Sequence, residues 1–391
     1  MDEKIAIPNK IGPYQLKATI GFGAFSVVKI AYRLDTGDSF ACKIIPQRRL
    51  VNQSMFDTCE KEIRVLQQLN NRYVVQLIDI LKDTLNYYIL MDLCVNGNLN
   101  SYIVKNKKLS EIDAKNIFRQ ILEGVGYIHS MKLAHRDLKL ENILLDQGYT
   151  VKIADFGFSR FFKSDSLATT ACGSPFYASP ELLSGCPYDP FKSDMWSLGV
   201  ILYALVSGNI PWTEKNKQRL YDQIKRGEYF NPMNISNECI SFIRNLICID
   251  INQRLDINSA LNHSWMRNES FIPIPVFKTT YISLRTIDKF FEIDKEDLFI
   301  DEMKIIPKCP SHRDIKANTN STIPYRQPVG NPRAFCSSSN QKKRDIIQII
   351  EESHSITALL RRDRRKRSAP IVRPVQESTR LNIVPQFAIR Y

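Results

Sequence analysis

Two short strings leave this chain few folds to choose from. His135-Arg136-Asp137-Leu138-Lys139-Leu140-Glu141-Asn142 is followed by Asp155-Phe156-Gly157, with Asp155 standing 18 residues after Asp137. Apolar Ile143-Leu144-Leu145 and Val151-Lys152-Ile153 lie between them, a combination hard to obtain by chance. The residue types suit a phosphoryl transfer. One aspartate can accept hydrogen from an incoming hydroxyl while the other holds a magnesium ion against nucleotide phosphates, and Asn142 offers a neutral oxygen for a second ion.

Length and charge bound the rest. With 391 residues and 43% hydrophobic content the chain can bury two packed lobes and still carry an extra segment. No apolar run reaches the roughly 18 residues that span a bilayer, and Met1-Asp2-Glu3-Lys4 lacks the charged-then-apolar plan of a secretory signal, so a cytoplasmic or nuclear home is expected. The nine cysteines are scattered and without Cys-x-x-Cys spacing, which reads as reduced thiols and no zinc site. The net charge of +13 divides into +1 for residues 1–302 and +12 for 303–391. The basic character therefore belongs to a tail.

After a leader over 1–13, Tyr14-Gln15-Leu16 and Ala18-Thr19-Ile20 read as a strand running into Gly21-Phe22-Gly23-Ala24-Phe25-Ser26. Val27-Val28-Lys29-Ile30-Ala31 reads as the strand that leaves it. Glycines at 21 and 23 let backbone amides approach phosphate oxygens, and the β-rich flanks favour a hairpin over a strand-to-helix dinucleotide turn. The plain alternative is a glycine-containing hairpin. In Phe40-Ala41-Cys42-Lys43-Ile44-Ile45 a lysine sits within an apolar strand, which demands a carboxylate partner. Apolar positions 56, 59, 63, 66 and 69 keep helical spacing over the segment that carries Glu60 and Glu62, and either could be that partner. Val74 to Ile80 and Tyr87 to Met91 read as further strands of one small antiparallel sheet.

Taken together, these motifs resemble the eukaryotic protein kinases over about residues 14–266. The resemblance implies a bilobal α+β fold, with a small antiparallel sheet and one key helix in the N-lobe (14–93) and a larger, mainly helical C-lobe (94–266). It implies ATP and Mg2+ as cofactors and protein substrates. The kinase pattern Glu-Ile-x-x-Leu selects Glu62 for Lys43. It makes Asp137 the base, Lys139 the stabiliser of the γ-phosphate, and Asn142 and Asp155 the metal ligands. Ile20, the glycine loop through Ser26, Val28 and Ala41 would cover one side of the nucleotide, with Leu144 and Glu141 on the other. Met91 would gate the pocket, unless it is a plain core methionine, and Asp92 and Cys94 would present the hinge backbone to adenine. Ser26 stands where the family has its third glycine. A pseudokinase scaffold binding through its lobes or tail is the alternative of a different class.

Ser110, with Asp113 three residues on, opens a long helix whose apolar stripe at 114, 117, 118, 121, 125 and 128 faces a core. His135 is read as structural, bridging to Phe156. Lys192 to Leu205 matches the family's buried helix, on which Asp194 would hold the catalytic-loop backbone, and Arg254 would pair with Glu181. The activation segment would run from Asp155 to Ser179-Pro180-Glu181. Within it Thr170, with Thr169 as rival, matches the threonine phosphorylated by an upstream kinase in the AMP-activated-kinase-related branch of the calcium/calmodulin-dependent group, and Arg136 would receive that phosphate. Glu141 could read a basic substrate residue, although Asn98 stands where an acidic reader is common, and Phe158 favours serine as acceptor.

Residues 267–302 read as a tether with a short helix over 287–302 docked on the catalytic lobe, and 303–391 as a mostly disordered basic tail. There an apolar stretch from Ile346 to Leu360 lies between Lys342-Lys343-Arg344 and the basic run Arg361 to Arg367. It is read as a contact for a regulatory protein such as calmodulin, for import receptors or an anionic membrane, or as solvated charge. Without interleaved aromatics, sequence-specific nucleic-acid binding is not expected.

Overall fold

The computed structural model describes residues 6–23, 26–50, 53–163, 166–267 and 282–291. All of them belong to one unit of the chain, Met1–Ile350; the other, Glu351–Tyr391, lies outside the described residues, as do 292–302 and the whole tail.

Strand residues point alternately to two faces, and in the first lobe both faces carry buried apolar side chains. Strands β1 (Lys10–Ile11), β2 (Tyr14–Phe22), β3 (Val27–Arg33), β4 (Ser39–Pro46), β5 (Leu77–Lys82) and β6 (Asn86–Met91) form one antiparallel sheet in the order β1-β2-β3-β4-β6-β5. One face buries Tyr14, Leu16, Ala31, Cys42, Ile44, Tyr88 and Leu90 in a small core of its own. The opposite face, with Ile45, Ile80 and Ile89, joins the main core together with helix α1 (Gln53–Gln68).

Two strand boundaries depart from expectation. The leader contributes β1, which pairs with β2 through Lys10–Gln15 and Ile11–Tyr14. Val74 and Val75, expected in a strand running to Ile80, stand apart from β5 because their backbone is used elsewhere. The Val75 N–H donates to Ile153 O at 2.9 Å, and Ile153 returns its own N–H to Tyr73 O at 2.7 Å. This exchange stitches the first lobe to the second.

The second lobe is mainly helical: α2 (Leu99–Asn106), α3 (Glu111–Ser130), α4 (Pro180–Leu183), α5 (Pro190–Ser207), α6 (Lys217–Arg226), α7 (Asn237–Leu246) and α8 (Ile257–Leu261). Short strands β7 (Leu133–Ala134), β8 (Ile143–Leu145), β9 (Val151–Ile153) and β10 (Arg160–Phe161) pair as β7 with β10 and β8 with β9. Ser110 caps α3 as its spacing suggests, accepting from the Asp113 N–H at 3.1 Å and donating to the Asp113 carboxylate at 2.6 Å. Helix α5 has Asp189 as N-cap, Pro190 in its first turn and Gly208 in the left-handed conformation at its end. It is apolar nearly all round, which forces it into the centre of the lobe.

A last helix, α9 (Leu284–Phe291), packs on α1 and the sheet of the first lobe, not on the catalytic lobe. Its stripe of Ile287, Phe290 and Phe291 matches aromatic Phe56 and Tyr87 there. Among the described residues, no helix is long and apolar enough to cross a membrane.

Candidate active site

The sheet and the second lobe enclose a cavity of about 920 Å³. Its walls include Ile20, Gly21, Phe22, Gly23, Ser26, Val28, Ala41, Lys43, Glu62, Met91, Asp92, Cys94, Glu141, Asn142, Leu144 and Asp155. Apolar walls with a few convergent polar groups are the general form of a small-molecule site. Ala24 and Phe25, also expected here, lie outside the described residues.

Lys43 rises from the middle of β4 and meets Glu62 of α1, its Nζ lying 2.7 and 2.8 Å from the two carboxylate oxygens. Burial works against the Lys43 charge, but the charges of Glu62 and then Asp155 outweigh it and hold its pKa above the ordinary lysine value. Glu60, the other sequence candidate, pairs instead with Arg64 one turn along the helix at 2.7 Å. Residues 60 and 62 lie about 200° apart on a helix, so only one of them can face the sheet.

Asp137 lies below this cavity and is reached through Asn142, whose Nδ2 donates to the Asp137 backbone oxygen at 2.9 Å and to its carboxylate at 3.1 Å. The amide nitrogen is thereby committed and the Asn142 carbonyl oxygen is left as the acceptor. The Asp137 carboxylate also accepts from Lys139 Nζ at 2.5 Å, from Ser174 N–H at 3.0 Å and from Ser174 Oγ at 3.1 Å. Ser174 is a partner the sequence reading missed. It belongs to Cys172-Gly173-Ser174-Pro175, just after Thr170 in the activation segment.

Non-glycine residues in the left-handed backbone region include Arg136 (φ 66°) and Asp155 (φ 67°), both at this site. Such conformations cost energy and persist where surrounding contacts over-determine them. Here the contacts are explicit. The Asp194 carboxylate on α5 accepts the His135 and Arg136 N–H groups, each at 2.9 Å, and His129 Nε2 lies 2.9 Å from the same carboxylate. His135 contacts Phe156 with ring centroids 5.0 Å apart and bonds Ala154 O at 3.1 Å. Arg254, wholly buried, grips Glu181 at 2.6 and 3.0 Å.

At the hinge the Asp92 N–H donates to Gln76 O at 3.2 Å, and its carboxylate pairs with Lys152 at 2.7 Å. Burial pushes the nearby Cys94 thiol up to about 12. In the glycine loop the Gly23 N–H donates to Ser26 O at 2.8 Å, and a Cβ on Gly23 would come 2.5 Å from Ser26 Oγ. A side chain at 23 would therefore require the Ser26 hydroxyl to turn to another rotamer.

Thr169 and Thr170 are both exposed. Thr170 offers its backbone oxygen to Arg136 Nη2 at 2.6 Å and to Tyr188 OH at 3.2 Å. Arg136 Nε is buried with no hydrogen-bond partner among the described residues. Gly173 (φ +90°) brings the segment onto the catalytic loop, where a Cβ would come 2.5 Å from Arg136 O.

The donor set fits magnesium. Asp155 and Asn142 are hard oxygen ligands on a cavity that would hold phosphates, and magnesium is generally bound by one or two carboxylates plus substrate oxygens. The chemistry this arrangement can do is transfer of a phosphoryl group between a polyphosphate in the cavity and a hydroxyl near Asp137.

Comparison with known sequences agrees with this geometry. The family model described as protein kinase domain matches residues 14–266. The SNF1-related protein kinase catalytic subunit alpha KIN12 of Arabidopsis thaliana is 35% identical over 285 residues, covering 72% of this chain and 56% of its own length. The serine/threonine protein kinases OSK3 and OSK4 of Oryza sativa subsp. indica are each 38% identical over 264 residues, covering 67% of this chain and 52% of theirs. The chain thus spans about half the length of the curated relatives it matches. On the strength of motifs, cavity and match alike, it belongs to the protein kinase family.

Proposed function

We propose that the chain transfers the γ-phosphoryl group of Mg-ATP to serine or threonine hydroxyls of proteins. The observation that carries the reading is convergence. Lys43, Glu62, Asn142 and Asp155 line one cavity, and Asp137 is tied to it through Asn142. In this reading the substrate hydroxyl gives its proton to Asp137 as its oxygen bonds the γ-phosphorus, and the bond to the β–γ bridging oxygen breaks to release ADP. Lys43, oriented by Glu62, and Lys139 steady phosphate charge. Magnesium, held by Asp155 and Asn142, supplies charge neutralisation when bound. The hinge backbone at Asp92 and Cys94 would pair with the adenine, and Val28, Ala41 and Leu144 of the cavity wall would cover its faces.

Phosphorylation of Thr170 by an upstream kinase is the proposed switch. The Thr170 backbone already rests on Arg136, and the spare Arg136 Nε–H suits a phosphate oxygen. Basic residues in the substrate, serine over threonine, and a cytoplasmic or nuclear site of action complete the proposal. The test is a radiolabelled ATP assay of the full chain on generic basic peptides, with and without prior Thr170 phosphorylation. Transfer that Asp137→Ala abolishes and Thr170→Ala leaves unactivated is expected, at about 1–100 turnovers per second when active. Nucleotide binding without any transfer would replace the kinase with the pseudokinase scaffold.

A further inference from the structure

Helix α1 carries the glutamate that orients Lys43, yet little of α1 itself is locked by burial. Only Cys59 and the run Glu62 to Leu66 are buried along its 16 residues. Its cavity side presents Ser54, Met55, Thr58, Cys59 and Glu62. What fixes the opposite side is α9.

Ser283 starts α9 by accepting the Thr286 N–H on Oγ at 3.1 Å, and Ile287, Phe290 and Phe291 then fall on one buried face. Phe291 meets Phe56 in the first turns of α1 edge to face, with centroids 5.4 Å apart. Phe290 and Phe291 lie 5.2 and 6.0 Å from Tyr87 of β6, and Lys82 Nζ sits 6.0 Å from the Phe290 ring. Asp288 pairs with Arg64 at 2.9 Å, and Gln67 Nε2 donates to Ile282 O at 3.0 Å. The contacts grip α1 near both ends, at Phe56 and at Arg64 with Gln67. Swinging α1 away from the sheet, as breaking the Lys43–Glu62 pair requires, would have to undo both grips.

An eight-residue helix is too short to hold itself in water, so α9 and the docked position of α1 stabilise one another. We infer that α9 is an activating brace, with Asp288, Phe290 and Phe291 as positioning residues that keep Glu62 on Lys43. The inference rests on the proposed role of that pair. The brace is a segment of the same chain, 215 residues away in sequence at Gln67–Ile282 and 224 at Arg64–Asp288, so it is a regulation point: any event that lifts α9 would relax the nucleotide site from behind.

The experiment uses the full chain in three forms: Phe290→Ala with Phe291→Ala, Asp288→Ala and Asp288→Glu. Amide hydrogen exchange is followed in α1, with α5 as internal standard, alongside ADP affinity and kcat and KM for ATP. Removing the two aromatic rings should speed exchange in α1 roughly tenfold while α5 is unchanged, and should lower kcat/KM for ATP. Asp288→Ala should do the same to a smaller degree and Asp288→Glu should restore the wild-type values. Unchanged α1 exchange in the folded variants, or higher activity on losing α9, would overturn the inference, the second by making α9 a brake. If the double variant does not fold, Asp288→Ala decides, since that side chain is 41% exposed and its loss leaves no cavity. If the wild-type chain transfers no phosphate, the kinase reading fails by itself, and exchange with ADP affinity still decides the brace.

Discussion

Helices α1 and α5 both deliver a carboxylate to the site, and they are held in opposite ways. In α5 fifteen of 18 residues are buried, and Asp194 reaches the catalytic-loop backbone from a helix that has nowhere to go. In α1 six of 16 are buried, and Glu62 reaches Lys43 from a helix fixed by a sheet on one side and a short docked segment on the other. The difference separates scaffold from control. Burial makes the catalytic loop a constant, whereas a few replaceable contacts make the lysine–glutamate pair adjustable.

That contrast can be broken most forcefully at Arg254. Arg254→Ala leaves Glu181 without its partner inside the helical lobe, and a loss of about 3–5 kcal/mol in chemical denaturation is expected. On the α1 side, Glu62→Gln keeps shape but removes the charge that orients Lys43. It should cost roughly 100-fold in kcat and, because the Asp155 charge still faces Lys43, less stability in thermal melting than Arg254→Ala costs; an equal loss of stability would erase the distinction between the helices. Gly199→Ala probes the close packing of α5 on α7, where a Cβ would come 2.7 Å from Ile247 and 2.9 Å from Leu246; about 1–3 kcal/mol of destabilisation should follow, read by thermal melting.

The smallest effect concerns pH. The folded Lys43 pKa is raised, so the stability its pair contributes is complete below the ordinary lysine value and is lost only as pH rises through the higher folded value. ADP affinity should therefore be flat from neutrality to about pH 10. A decline beginning near pH 8 would mean that Glu62 does not hold the lysine charge in solution.

The parts of the site legible in the sequence were those whose function demands a local string. Asp137, Lys139 and Asn142 must share one loop, so their order along the chain is itself the signal. The partner of Lys43 was less legible, because period and composition alone admit Glu60, and only the sheet above α1 distinguishes the two faces. Ser174 went unnoticed as a ligand of Asp137 because nothing local to a Gly-Ser-Pro turn says which carboxylate lies beneath it. The seat of α9 was the least legible. Its amphipathic stripe announces a buried face without saying against what, and its ion pair with Arg64 spans 224 residues. Likewise the short α2 gave little periodicity to read, although Asn98 caps it through the Ser101 N–H at 2.9 Å.

Gly173 sets the height of the activation segment above the catalytic loop by lacking a side chain, not by attracting anything. A spacer of zero length cannot be tuned by degrees: a single methyl group there would jack the segment off its base and carry Ser174 with it, while the nucleotide cavity kept its walls. The position is thus a ready lever for uncoupling occupancy from turnover, giving a form of the protein that fills its pocket and delivers nothing.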